Sequence, residues 1–299
     1  MKIDIINAAC DLGVNVDGAS IGPFKIKEYL ENNKKINNII DVQCNCQNKE
    51  NEIYNLRKNY NRLIEYTKHL YNEILKSKNQ GAFSITIGGD HSIATSSALA
   101  SIKKENDLGI IWIDAHADYN TFETTITGNL HGLPLATING LNKELSLFHD
   151  GKYYDPKKTV IIGYRSEEEN KDEELNNLKE AGVTFYTTND LKEIGIQETM
   201  KKAFEIANNN NNNRTHISYD IDFIDPKEAP GVSIPELNGP TKKEALEVAE
   251  EMLKYIKYIS SIDIVEYNPK NDINNVTLNI VLKIIEMIIN KIEKNNAQL

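Results

Sequence analysis

Two carboxylates and an imidazole alternate in the middle of this sequence, and their spacing suits metal binding. Asp114, His116 and Asp118 are separated by alanines and directly follow the apolar run 109–113. Successive side chains of an extended strand point to opposite faces, so these three polar groups would point the same way. A turn cap needs only one aspartate, whereas three such groups at the end of a buried strand need a cation between them. The segment therefore predicts a metal site.

A second acidic alternation and a glycine turn supply the remaining candidate ligands. Asp220 and Asp222 follow the run 215–219, and His91 follows Gly-Gly-Asp after another apolar run, 83–87. The complete set of candidate metal ligands is His91, Asp114, His116, Asp118, Asp220 and Asp222. Carboxylates and imidazoles disfavour a thiolate-type zinc site and suit manganese, with zinc, cobalt or iron as competitors. Bridging carboxylates would let these residues hold two metal ions about 3.5–4 Å apart, an arrangement that generates hydroxide for hydrolysis.

Two further residues are predicted to act beside the metals. His131 lies in the loop that continues from Asp118, where an imidazole could transfer protons. An ordinary loop histidine is the alternative. Glu266 ends the apolar run 262–265, which places its carboxylate at the carboxyl end of another strand, where it could bind a cationic substrate. A structural salt bridge is the alternative there.

Alternating strands and helices must position these residues. The apolar runs predict strands at 2–7, 38–43, 82–87, 109–114, 159–163, 183–186, 215–220 and 260–266. The helical patterns predict helices at 22–32, 51–78, 92–104, 172–181, 195–207, 241–257 and 275–294. This alternation indicates βαβ units and a mostly parallel sheet. Segments 115–132 and 221–240 are predicted loops, and each follows a metal-type motif, as expected for ligand sites outside the carboxyl ends of strands.

Length, charge and hydropathy limit the architecture and the partners. With 299 residues and no Pro- or Ser-rich linker, residues 1–299 are predicted to form a single domain. The net charge of -10 argues against a nucleic-acid partner. No apolar run approaches the roughly 18 residues of a membrane span, so no membrane partner is expected. The absence of a signal-peptide pattern and the sparse, odd cysteine count predict a cytoplasmic protein.

The cysteines carry little signal by themselves. Cys44 and Cys46 are too close together for the usual CxxC redox or zinc pattern, and Cys10 is far away in sequence. All three are therefore predicted to be plain buried or partly buried thiols.

Together these motifs resemble the ureohydrolase family, which includes arginase, agmatinase and formimidoylglutamase. The resemblance is carried by Gly-Gly-Asp-His-Ser at 88–92, Asp-Ala-His-Ala-Asp at 114–118, Ser-Tyr-Asp-Ile-Asp-Phe-Ile-Asp-Pro at 218–226 and Glu-Tyr-Asn-Pro at 266–269. With the segment 17–23 they span almost the whole chain. The resemblance implies an α/β fold, a three-layer α/β/α sandwich with a central, mostly parallel sheet. It also implies two Mn²⁺ per subunit and a homotrimer or homohexamer.

A mechanism comes with the resemblance. One manganese would be held by His91, Asp114, Asp118 and Asp220, and the other by Asp114, His116, Asp220 and Asp222. In this family a metal-bridging hydroxide attacks the amidine-type carbon. Asp118 would pass the proton to the leaving amine, and His131 would shuttle protons to solvent. Glu266 would pair with the guanidinium or formimino group of the substrate.

The loop after Asp118 resembles arginase most closely. By that resemblance Asn120, Thr127 and Asn129 would bind the carboxylate of the amino-acid substrate. Glu168 would contact its α-amino group, while a second acid expected three residues later falls on Lys171 unless the loop shifts. The favoured function is therefore an arginase-type hydrolase that converts L-arginine to L-ornithine and urea.

Two segments keep other substrates open. The segments 229–235 and 266–273 resemble formimidoylglutamase, which cleaves N-formimidoyl-L-glutamate to glutamate and formamide. Ile234 also stands where arginase has a threonine near the guanidinium. Agmatinase is a further alternative. Outside this class, a non-catalytic metal-binding homologue would have little reason to keep the whole site, and a phosphoesterase would need basic residues beside the metals, where only Arg165 flanks the motifs.

Overall fold

A single parallel sheet organises the computed structural model, which describes residues 2–47, 59–166, 171–209 and 213–297. Within these residues the strands are β1 (Lys2–Ala9), β2 (Asn38–Gln43), β3 (Ala82–Gly88), β4 (Leu108–Ile113), β5 (Thr159–Tyr164), β6 (Thr184–Thr187), β7 (Arg214–Asp220) and β8 (Ile259–Val265). They form one eight-stranded sheet in the order β2-β1-β3-β8-β7-β4-β5-β6. Every neighbouring pair is parallel, which confirms the predicted α/β class.

Helices cover both faces of this sheet. In the described parts of the chain they are α1 (Gly22–Leu30), α2 (Tyr60–Asn79), α3 (Ala94–Glu105), α4 (Pro134–Ile138), α5 (Lys171–Ala181), α6 (Thr188–Ile194), α7 (Ile196–Ala207), α8 (Lys242–Leu253) and α9 (Val276–Asn296). One hydrophobic cluster joins α1 and α6–α9 to the sheet, and the other joins α2–α5 to it. The predicted three-layer sandwich is therefore confirmed. None of the described helices is long and apolar enough to cross a membrane.

Strand β4 shows why its sequence is apolar without interruption. Ile111 and Ile113 belong to the cluster on one face of the sheet, and Ile110 and Trp112 belong to the cluster on the other. All four side chains are fully buried. A strand covered by helices on both faces has no solvent side, so alternation with polar residues disappears until the strand ends. The polar residues from Asp114 onward mark that end.

Most predicted helices match to within one or two residues at each end, and four helices differ by more. Helices α4 and α6 were not predicted, because five and seven residues are too few to show a helical repeat. Residues 51–58 of the predicted helix 51–78 lie outside the described residues, and α2 begins at Tyr60. The predicted helix 241–257 ends at Leu253 and is followed by a 3₁₀ turn, Ile256–Tyr258.

Candidate metal centre and active site

The six predicted metal ligands meet where four adjacent strands end. Strands β3, β8, β7 and β4 are neighbours in the middle of the sheet. His91 begins a 3₁₀ turn after β3, and Asp114 directly follows β4. Asp220 is the last residue of β7, and Asp222 lies in the 3₁₀ turn that follows it. Because parallel strands all end at the same edge, side chains that are distant in sequence converge there.

Three carboxylates surround one nitrogen of His91. Its Nδ1 lies 3.1 Å from an oxygen of Asp114, 3.1 Å from one of Asp118 and 2.9 Å from one of Asp220. Burial favours the neutral imidazole, but the three carboxylates hold the pKa of His91 well above its usual value. Burial and the neighbouring acids raise the pKa of Asp220 in turn. The cluster therefore concentrates negative charge out of water around one imidazole.

Asp114 connects this group of side chains to a second one. Its Oδ2 faces His91, while its Oδ1 lies 3.5 Å from Nδ1 of His116. The same nitrogen of His116 lies 3.1 Å from Oδ2 of Asp222. The two histidines thus share one carboxylate, as expected of a bridging ligand between two adjacent ions.

His91 is held from behind in a fixed orientation. Its Nε2 lies 2.8 Å from the hydroxyl oxygen of Ser218. Its ring stacks on Trp112 with the ring centres 3.9 Å apart and the planes 5° from parallel. The backbone N–H of His91 donates to Oε1 of Glu266 over 2.8 Å. These three contacts leave Nδ1 directed at the carboxylates.

Glu266 and His131 form a buried pair at the edge of the cluster. Oε1 of Glu266 lies 2.9 Å from Nδ1 of His131. Burial disfavours the imidazolium, but the charge and hydrogen bond of Glu266 outweigh it and raise the pKa of His131 to about 9. Glu266 adopts a positive φ of 66°, a backbone conformation that large side chains rarely take. Its backbone N–H donates to the carbonyl of Gly89, which fixes this residue against the turn that carries His91.

A cavity opens beside the cluster and includes one acid that sequence reasoning missed. Its wall is formed by His91, His116, Asp118, Asn120, His131, Gly132, Glu174 and Asp220. Glu174 lies on α5 and is only 3% exposed. Its Oε1 accepts hydrogen bonds from the backbone of Tyr119 and from the side chain of Asn120. The sequence carried a signal, because a second acid was expected three residues after Glu168, at the position of Lys171, and Glu174 lies one helical turn beyond that position.

Of the other predicted substrate contacts, some line the cavity and others do not. Asn120 is buried and lines the cavity. Thr127 and Asn129 are half-buried in the neighbouring loop, where the Thr127 hydroxyl accepts the Asn129 N–H. Among the described residues, neither of these two belongs to the cavity wall. Glu168 lies outside the described residues.

Arg165 is held by the backbone. Its guanidinium donates to the carbonyl oxygens of Gly163, Asp222, Glu236 and Leu237. Among the described residues, the cavity wall includes no lysine or arginine. The site therefore lacks the cationic contacts expected of a phosphoesterase in this part of the structure.

Comparisons with known proteins place the chain in one enzyme family. The sequence model of the arginase family matches residues 1–290. An arginase of Staphylococcus aureus (strain MRSA252) is 32% identical over 284 residues, which cover 92% of each chain. The solved arginase of Bacillus caldovelox superposes with a TM-score of 0.86 at 28% identity, covering 96% of this chain and 98% of that one. The arginase of Entamoeba histolytica in complex with L-ornithine superposes with a TM-score of 0.84 at 28% identity and the same coverage. The likeness thus extends over nearly the full length of both chains.

Proposed function

Because this chain belongs to the arginase family, whose members hydrolyse C–N bonds of amidines, we propose that it converts L-arginine to L-ornithine and urea at two manganese ions. The observation that carries the proposal is the pair of histidines joined by Asp114, each with its Nδ1 among carboxylates. We further propose that the chain acts as a single domain in a homotrimer or homohexamer, in the cytoplasm, and measurement of molar mass by light scattering tests the assembly.

The clustered side chains fit a pair of metal ions. Nδ1 of His91 and Oδ2 of Asp114 are buried and lack hydrogen-bond partners among the described residues, although they lie 3.1 Å apart. Ligand atoms around an octahedral ion with bonds of about 2.1 Å lie about 3 Å from one another. The separations around His91 match that spacing. Hard carboxylates with imidazoles suit Mn²⁺ better than thiophilic ions.

We propose the following assignment of ligands. His91, Asp118 and Asp220 would hold one ion, His116 and Asp222 would hold the other, and Asp114 would contact both. When bound, such a pair of ions supplies a water of lowered pKa and polarises the group under attack. The protein itself must then orient the substrate and move protons.

Three side chains are assigned to those tasks. Asp118 lies in the cavity wall and would transfer the proton to the leaving amine. His131 also lines the cavity and has a side chain that is 15% exposed, so it would carry protons between the cavity and solvent. Oε2 of Glu266 is buried without a hydrogen-bond partner among the described residues, which leaves a carboxylate oxygen for the cationic guanidinium.

The cavity favours an α-amino acid with a cationic side chain. Glu174 adds a buried carboxylate beside Asn120, and an α-ammonium group would compensate it. The L-ornithine bound by the Entamoeba histolytica arginase carries such a group. Formimidoylglutamate carries a second carboxylate and would meet several acids but no lysine or arginine among the described wall residues. Ile234 remains the observation in favour of a different substrate, because an apolar side chain there gives no hydrogen bond to a guanidinium.

The test is an incubation of the manganese-loaded protein with L-arginine, agmatine and N-formimidoyl-L-glutamate. We expect urea and ornithine from the first, and little turnover of the others. Protein stripped with a chelator, and an Asp114→Asn variant, serve as controls and should be inactive. Urea with putrescine would indicate an agmatinase, and formamide with glutamate would indicate a formimidoylglutamase. Stoichiometric manganese binding without hydrolysis of any of the three would contradict a catalytic role.

A further inference from the structure

The three cysteines of the sequence meet at one place, although their spacing predicted isolated thiols. One sulfur atom from each of Cys10, Cys44 and Cys46 lies within 4.8 Å of the other two. Cys10 is fully buried, and the other two are partly exposed. Sequence spacing missed this because 34 residues separate Cys10 from Cys44, and only the pairing of strands brings them together.

Strand pairing explains the convergence. In the parallel pair β1–β2 the last matched residues are Ala9 and Gln43, so the next residue on each strand is a cysteine. The N–H of Cys44 donates to the carbonyl of Ala9 over 3.2 Å, which continues the ladder to this point. The chain then turns and returns Cys46 to the same place.

Helix α2 holds the turn in position. The guanidinium of Arg62 donates to the carbonyls of Asn45 and Gln47. The hydroxyl of Tyr66 donates to the carbonyl of Val42 over 3.0 Å. The segment that carries two of the three thiols is therefore fixed by side chains from a neighbouring helix, and the cluster is a built feature of the fold.

The surroundings favour a cation over isolated thiols. Asp90 and Asp11 are the charged side chains that act on the thiol pKa values, and both are acidic. Metal binding displaces thiol protons, and the positive charge of the bound ion would then compensate the thiolates beside these buried carboxylates.

We propose that Cys10, Cys44 and Cys46 form a further metal site, separate from the catalytic pair, which binds a thiophilic d¹⁰ ion such as Zn²⁺ or Cu⁺. With Zn–S bonds of about 2.3 Å, tetrahedral sulfur ligands lie about 3.8 Å apart, so separations within 4.8 Å need only small side-chain movements. Soft thiolates select these ions, whereas the oxygen and nitrogen ligands at His91 and His116 select harder ones. The partly exposed side leaves room for a fourth ligand from solvent.

The cysteine cluster also contacts the turn that follows β3 and carries His91. The carbonyl of Cys10 accepts the N–H of Asp90 over 2.9 Å. Gly89 packs so closely on the Cys10 backbone that an added Cβ would lie 1.7 Å from the carbonyl oxygen. An ion bound by the three sulfurs would therefore fix the strand end on which the turn carrying His91 rests.

Cobalt binding tests the proposal because Co²⁺ reports thiolate ligands through a near-ultraviolet charge-transfer band. Reduced protein, with its catalytic site first filled with Mn²⁺, is titrated with Co²⁺ and then with Zn²⁺ or Cu⁺ as competitors. We expect a band whose final intensity corresponds to one thiolate-bound Co²⁺ per chain, even where Co²⁺ also replaces Mn²⁺ at the catalytic centre, and which is abolished by whichever competitor is the preferred ion. Cys44→Ser and Cys46→Ser should each weaken binding on the order of 100-fold. An Asp222→Asn variant, altered only at the catalytic centre, should keep the band.

Two outcomes would overturn the proposal. One is the absence of a charge-transfer band in protein whose three thiols titrate as free. The other is a disulfide, seen as a single free thiol and a mass lower by two hydrogens in protein purified under reducing conditions. Because both serine variants replace partly exposed residues outside the catalytic cavity, manganese-dependent turnover should persist and verify that they are folded. If a serine variant does not fold, native mass spectrometry of wild-type protein with Zn²⁺ decides whether an additional ion binds.

Discussion

The hydroxyl of Ser218 offers the sharpest test of how the candidate metal centre is held. Ser218 and His91 are both buried, and the Ser218 oxygen lies 2.8 Å from Nε2 of His91. When Nδ1 binds a metal, Nε2 carries the proton and donates to that oxygen. Ser218→Ala removes the acceptor and keeps the rest of the strand. The variant therefore keeps the His91 imidazole and tests only the hydrogen bond that orients it.

The expected magnitude follows from the contacts that remain. A buried donor that loses its partner costs about 1–3 kcal/mol of stability. Loss of a group that orients a metal-binding histidine weakens metal affinity about 10–100-fold. The stacking of His91 on Trp112 at 3.9 Å persists in the variant and limits rotation of the ring. We therefore expect a roughly 10-fold weaker manganese affinity, equivalent to about 1.4 kcal/mol.

Manganese affinity is measured by electron paramagnetic resonance of free Mn²⁺, alongside thermal unfolding of the metal-free protein. Ser84→Ala is the matched control, because Ser84 is also buried on a central strand but its hydroxyl has no hydrogen-bond partner among the described residues. The control should bind manganese like wild type. Equal affinities for Ser218→Ala and Ser84→Ala would refute the reasoning that Ser218 holds His91.

Three other variants test separate parts of the structure. Glu174→Gln should raise KM for L-arginine at least about 10-fold with a smaller change in kcat, since it removes one charge next to the substrate. Steady-state kinetics measure both constants. The control variant Glu173→Gln, which changes an exposed neighbour on α5, should have the wild-type KM and kcat. Gly89→Ala should destabilise the fold by more than about 3 kcal/mol or prevent soluble expression, because its Cβ would overlap the Cys10 backbone. The control Gly132→Ala, whose Cβ would meet nothing within 4 Å, should unfold at the wild-type temperature, and equal stability of the two would contradict the overlap. Burial lowers the pKa of Lys78 from 10.5 to about 8, so between those pH values the unfolded chain binds the additional proton and this residue's contribution to stability rises with pH. The rise should total about 3 kcal/mol. In urea unfolding, the stability of wild type relative to Lys78→Met should therefore increase by about that amount between pH 7 and pH 10.5, and a constant difference across this range would be the contrary result.

Sequence patterns predicted the sheet because its strands are buried on both faces. Runs such as Gly109–Ile113 are apolar throughout, and the residues that follow are polar because they lie at the strand ends. The meeting of His91, Asp114 and Asp220 could be foreseen from that rule alone. The assignment of these residues as metal ligands stays a prediction for the experiments above.

The features that sequence patterns missed depend on how distant elements pack against one another, and not on the periodicity within one element. Glu174 lines the cavity because α5 packs beside the loop that carries Tyr119 and Asn120, more than 50 residues earlier in the sequence. The cysteine cluster depends on the register of β1 against β2, which no local pattern encodes. In each case the decisive contact is between elements far apart in the sequence.

The stacking of His91 on Trp112 also makes the intrinsic tryptophan fluorescence sensitive to the state of that histidine. Trp112 is the chain's single tryptophan, so its fluorescence is free of overlapping indole emission. Its ring centre lies 3.9 Å from that of His91, at van der Waals contact. Any change in the charge of that imidazole, or the arrival of a paramagnetic ion on its far nitrogen, alters the excited state of the indole. We therefore expect emission from unmodified protein to follow occupancy of one half of the candidate metal centre.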